Sequence, residues 1–68
     1  MFKKSTNYFD LIISWKKINN PDYPYETRLN GKYLQIKLNN FPAEPMFSLL
    51  DEGNIISNFD DWPVNWKR

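Results

Sequence analysis

The dipeptide Asn30-Gly31 constrains this chain more than any other feature. A two-residue hairpin loop of type I′ needs positive φ at both central positions, and Asn-Gly supplies it at low cost. The loop lies between two runs of alternating character, Tyr23–Leu29 and Lys32–Leu38. Such a loop sets the register: Leu29 opposes Lys32, Thr27 opposes Leu34, Tyr25 opposes Ile36 and Tyr23 opposes Leu38. One face then gathers Tyr23, Tyr25, Leu29, Leu34, Ile36 and Leu38. The other gathers Glu26, Arg28, Tyr33, Gln35 and Lys37. A slip of one residue would scramble this division, so the pattern itself supports the pairing. Pro24 would remove a ladder donor, which assigns Tyr23–Leu29 to an edge.

A second hairpin is expected from Met46–Leu50 and Ile55–Phe59 around a turn at Asp51-Glu52-Gly53-Asn54. A two- or four-residue loop places Phe47, Leu49 and Ile56 on one face, with Met46, Leu50, Ile55 and Phe59 on the other. A three-residue loop regroups them, yet neither leaves a polar outer face. Ahead of both hairpins, Tyr8, Leu11, Ile12, Trp15 and Ile18 recur at helical spacing. Ser5 or Thr6 is placed to cap that helix, and Asn19-Asn20-Pro21 to end it. The fold class expected is therefore α+β. One N-terminal helix packs on an antiparallel four-stranded β-meander made of two hairpins, in a single domain spanning residues 1–68.

Sixty-eight residues without a cysteine must hold together on packing alone. Twelve are Phe, Trp or Tyr, and each such ring buries about 150–250 Å², so most of them are expected to be structural. The net charge of +1 does not match a dedicated nucleic-acid binder. Residues 1–19 carry four lysines against Asp10, and residues 51–68 carry four acids against Lys67 and Arg68. No apolar run is long enough to span a membrane. Lys3 and Lys4 precede an apolar stretch that Asp10 interrupts, which argues against an export signal. A cytoplasmic protein is the expectation. Nine asparagines and seven lysines suit an AT-rich microbial genome.

Neither histidine nor cysteine is present, so the usual general base near neutral pH and the softest nucleophile are both missing. Histidine and thiolate metal sites are ruled out with them. Gly31 and Gly53 each have a turn to make and form no phosphate loop. Asp60 and Asp61 are adjacent, and neighbours in an extended segment point to opposite faces. No cofactor, no metal and no enzymatic activity are expected.

The C-terminal stretch Phe59-Asp60-Asp61-Trp62-Pro63-Val64-Asn65-Trp66 concentrates the remaining binding potential. Pro63 holds Trp62 extended and can begin a helical or 3₁₀ turn that reaches Trp66. Trp62 is expected to close the core. Trp66 is expected to be exposed beside a carboxylate, and exposed tryptophans are frequent anchors at protein interfaces.

The reading reached from sequence is a small non-catalytic protein-binding module, of the inhibitor or accessory type. Its partner-binding residues are Trp66, Asp60, Asp61 and Trp62. The two apolar faces of the second hairpin call for a cover, and a second copy in a homodimer would provide one. The alternative is single-stranded nucleic-acid binding through Arg28, Tyr33 and Lys37 on the polar sheet face. A carboxylate-dependent enzyme, with Asp60 or Asp61 near a dimer axis, ranks third.

Overall fold

The computed structural model describes residues 7–68. Among these the chain is nearly all β, and its longest helical element is a three-residue 3₁₀ turn at Tyr8–Asp10. Seven strands follow: β1 (Ile13–Ser14), β2 (Lys16–Lys17), β3 (Tyr25–Leu29), β4 (Lys32–Leu38), β5 (Phe47–Asp51), β6 (Asn54–Phe59) and β7 (Trp66–Lys67). Strands β2 to β6 form one antiparallel sheet in sequence order, and β1 pairs in parallel with β7. Ile13–Lys17 is thus one extended segment that belongs to one sheet before Trp15 and to the other after it.

The expected N-terminal helix is therefore replaced by strand, and the α+β class by an almost wholly β architecture. The segment carried two periodicities at once. Leu11, Ile13 and Trp15 alternate with Ile12, Ser14 and Lys16, and this period of two prevails over the helical spacing. Ile12, on the stripe of the expected helix, is 73% exposed, whereas Ile13 and Trp15 are buried. β-Branched and aromatic residues favour the strand, and an isolated helix of this length has little stability of its own. Asn7 caps the short turn by accepting from the Phe9 amide at 3.1 Å. The expected caps Ser5 and Thr6 lie outside the described residues.

The first hairpin has the register set by its turn. Tyr25 opposes Ile36, Thr27 opposes Leu34 and Leu29 opposes Lys32, across Asn30 (φ 53°) and Gly31 (φ 82°). Tyr23 falls outside the ladder, where Leu38 donates its amide to the Asp22 carbonyl at 2.9 Å. β3 is not an edge, because β2 lies along it with Lys16 opposite Glu26 and Lys17 opposite Tyr25. Pro24 precedes the strand and accepts from the Ile18 amide at 2.9 Å, so its missing donor costs the ladder nothing.

In the second hairpin a two-residue loop, Glu52 (φ 51°) and Gly53 (φ 86°), joins Asp51 to Asn54. A bulge lies at Leu49/Leu50, so Leu50 opposes Ile55 while Leu49 opposes Ser57 and Phe47 opposes Phe59. The extra residue moves Phe59 onto the same face as Phe47 and Leu49. A three-residue loop would group the same three, but here a two-residue loop plus the bulge does so, and Leu50 with Ile55 stays on the outer face. Ile13, Trp15, Leu34, Ile36, Phe47, Leu49 and Trp66 form the buried core, with Tyr8, Phe9, Tyr25, Leu29, Phe59 and Trp62 packed around it.

Candidate functional site

The tail residues join the body of the protein. Trp66 is 4% exposed, contrary to its expected place on the surface. Pairing of β7 with β1 sets it beside Ile13. Its ring lies 5.0 Å from that of Trp15 and is stacked on Phe9 at 5.4 Å. Pro63 does start a turn, in which the Trp66 amide donates to the Pro63 carbonyl at 3.1 Å. That turn carries Trp66 inward because the parallel partner waits there. Trp62 is half-buried against Trp15, Tyr25 and Phe47, and donates Nε1–H to the Trp66 carbonyl at 3.1 Å. Arg68 covers it, with Cζ 4.5 Å from the ring centroid. Asp60 accepts from the Met46 amide at 2.8 Å, which ties the end of β6 to the start of β5. Asp61 is exposed. The four residues do not make a common surface.

Among the described residues, two recesses stand out on the outer face of the five-stranded sheet. The first, of about 510 Å³, is lined by Lys16, Glu26, Thr27, Arg28 and Tyr33. Alternation puts Glu26 and Arg28 of β3 on the outer side, and cross-strand pairing adds Lys16 and Tyr33. The Arg28 Cζ lies 5.4 Å from the Tyr33 ring centroid. The Tyr33 hydroxyl donates to Glu26 Oε1 at 2.5 Å. That bond, and then partial burial, raise the phenol above its ordinary pKa, because a phenolate there would face the carboxylate. Tyr33 is further held by Glu52: its amide donates to Glu52 Oε2 at 2.7 Å, and its carbonyl accepts from the Glu52 amide at 2.9 Å.

The second recess, of about 260 Å³, is lined by Lys37, Asn39, Glu44, Pro45, Ser48, Ile55 and Asn58. Lys37, Ser48 and Asn58 are successive cross-strand partners on β4, β5 and β6. Ser48, only 2% exposed, donates to Asn58 Oδ1 at 2.6 Å and accepts from Asn39 Nδ2 at 2.8 Å. Asn39 Nδ2 also donates to the Pro45 carbonyl at 3.0 Å, and Lys37 Nζ donates to Asn39 Oδ1 at 3.2 Å. The network fastens the 39–46 connection onto the sheet. Its one sequence signal was Ser48, a small polar residue set between Phe47 and Leu49.

Of the alternative site, then, Arg28 and Tyr33 come together while Lys37 belongs to the other recess. Lys16, which falls within the segment expected to be helical, joins Arg28 and Tyr33 instead.

The two edges of this sheet differ. β2 is two residues long, both lysines, and both exposed. β6 is six residues long, Asn54-Ile55-Ile56-Ser57-Asn58-Phe59, with no charge and no proline. Ile55 is 56% and Ile56 48% exposed, and among the described residues no strand pairs along its outer side. Also among these residues, no helix is long and apolar enough to cross a membrane. No protein-family model matches the chain, and neither a curated protein nor a solved structure is significantly similar to it.

Proposed function

We propose that this protein is a non-catalytic binding module that takes an extended, uncharged segment of a second protein as an added strand along β6. The carrying observation is the contrast between the sheet's two edges. Proteins normally guard an edge with lysines, proline or brevity, and β2 has the first and last of these. β6 has none of these along its length, its bulge being its one edge device, and it adds two exposed isoleucines. An edge of that kind supplies main-chain hydrogen bonds to an extended partner, and its side chains select what pairs. With no charge on β6, an apolar, β-branched segment is the matching chemistry.

The bulge at Leu49/Leu50 favours a flexible partner over a second copy. It bends β6, and two copies related by a two-fold axis would oppose two bends. A mobile segment can follow one. The C-terminal aromatics serve this reading indirectly, by closing the core that holds β6 in place.

Amide hydrogen exchange on the isotope-labelled protein tests this with two synthetic peptides. One is an uncharged alternating Val/Thr peptide, and the other alternates Lys and Glu. The uncharged peptide is expected to protect amides of Ile55–Asn58, and Ile56→Lys to abolish that protection without lowering stability. Equal protection by both peptides, or protection elsewhere, would overturn the reading. A dimer in native mass measurement that Ile56→Lys dissociates would replace the second protein with a second copy.

A further inference from the structure

We infer that the recess over β2, β3 and β4 binds one nucleotide unit, its base against the Arg28–Tyr33 stack and its phosphate at Lys16. The ligand chemistry is a phosphate ester joined to a planar ring, supplied either as a free nucleotide or as one unit of a single strand. The inference does not rest on the role of β6, which occupies the opposite edge of the sheet.

The recess has an excess of positive charge. Glu26 is the one carboxylate lining this recess, and Tyr33 already donates to it. Among the described residues the one ion pair is Lys32–Asp51, on a different part of the surface. Lys16 and Arg28 therefore stand beside the recess with no carboxylate within salt-bridge distance. Two such cations with a single, engaged acid between them favour an anionic ligand.

Lys16 opposes Glu26 on the neighbouring strand, and Arg28 lies two residues along from Glu26 on the same face. Strand spacing and rise put the two Cα atoms about 8 Å apart. That is the scale separating the base of a nucleotide from its own phosphate. Arg28 is exposed and has its guanidinium over the Tyr33 ring, so its outward side can receive a base. The Tyr33 hydroxyl bond to Glu26 fixes the ring beneath it, which leaves less side-chain freedom to be lost on binding. A recess of about 510 Å³ falls within the range of small-ligand sites.

The same geometry limits the site to one unit. Lys37, the next cation on this face, bonds Asn39 in the other recess, where Glu44 also stands. A continuous basic track for a long strand does not form.

The test is an amide-shift titration of the intact protein at low salt with four probes: adenosine monophosphate, adenosine, inorganic phosphate and a six-residue oligoadenylate. Adenosine monophosphate is expected to shift Lys16, Glu26 to Arg28 and Tyr33, and to bind more tightly than adenosine or phosphate. Arg28→Lys keeps the charge but removes the stacking plane, and should weaken binding about 5-fold or more. Lys16→Gln should weaken adenosine monophosphate while leaving adenosine unchanged. An oligoadenylate affinity about ten-fold above the mononucleotide, with the shallow salt dependence of a single phosphate contact, identifies the strand as the source. Equal affinity identifies the free nucleotide. Absence of shifts at these residues, adenosine binding as tightly as its monophosphate, or an Arg28→Lys variant of unchanged affinity would each overturn the assignment.

Discussion

Trp66 donates its indole Nε1–H to the backbone carbonyl of Tyr8 at 2.9 Å, across 58 residues of sequence. The bond joins the C-terminal strand to the 3₁₀ turn at the other end of the described chain. Around it Trp66 meets the rings of Phe9, Trp15, Phe59 and Trp62, each with centroids 5.0–5.4 Å away. The tail is thus the piece that holds the two sheets together.

Replacing Trp66 by alanine should cost about 3–5 kcal/mol, the range for removing a large buried aromatic. It also removes one of the two donors to the Tyr8 carbonyl, which keeps the Leu11 amide at 3.2 Å. Trp66→Phe should cost less, since most of the ring contacts persist while the hydrogen bond is lost. Urea unfolding gives both values. A loss below about 1 kcal/mol for the alanine variant would mean that β7 is not integral to the fold.

The first hairpin was legible because its information is local. Asn30-Gly31 specifies a turn type, the turn specifies a register, and alternation of Thr27, Leu29, Leu34 and Ile36 confirms it. The N-terminal segment misled because Tyr8, Leu11, Ile12, Trp15 and Ile18 satisfy helical spacing while Leu11, Ile13 and Trp15 satisfy strand spacing. Two remote partners decide between them: β7 pairs with Ile13–Ser14 and β3 with Lys16–Lys17. Nothing within the segment reports either. The bulge at Leu49/Leu50 was hidden for the same reason, since it is defined against β6. On the outer face Arg28 and Tyr33 were readable from the hairpin. Lys16 was not, because its place depends on the same unreadable pairing.

Gly31→Ala and Gly53→Ala should each destabilise by about 1–2 kcal/mol, the cost of left-handed backbone for a residue with a Cβ. Both glycines have positive φ, and no atom lies within 4 Å of where a Cβ would sit. The penalty is then conformational rather than steric, so the two substitutions should cost similar amounts in thermal or urea unfolding. A much larger loss at one of them would expose a packing role that the open surroundings do not provide.

Ser48→Ala should cost about 1–3 kcal/mol although it removes one oxygen. The hydroxyl is buried and bridges Asn39 to Asn58, and alanine leaves both amides short of a partner. Asn39 keeps its bond to the Pro45 carbonyl, so the 39–46 connection loosens without detaching. Faster amide exchange in that connection, with β3 and β4 unaffected, is the expected signature. Uniformly faster exchange would instead mean that Ser48 supports the whole sheet.

Alkaline pH should destabilise the protein through two tyrosines. The Tyr33 phenol is raised by its bond to Glu26 and then by partial burial. That of Tyr8 is raised first by burial and then by Asp51, whose Oδ2 accepts its hydroxyl at 3.3 Å. A phenol with a raised folded-state pKa contributes stability that is complete below about pH 10, its unfolded value. Above that the unfolded chain ionises first, and the contribution is lost as pH rises through the folded pKa. Tyr33→Phe and Tyr8→Phe cannot ionise, so each should flatten the decline in stability between pH 9 and pH 11, and the double variant should flatten it most. These are unfolding free energies from urea titrations at fixed pH steps, about half a unit apart. Wild type and variants declining in parallel would show that neither hydroxyl bond survives in solution.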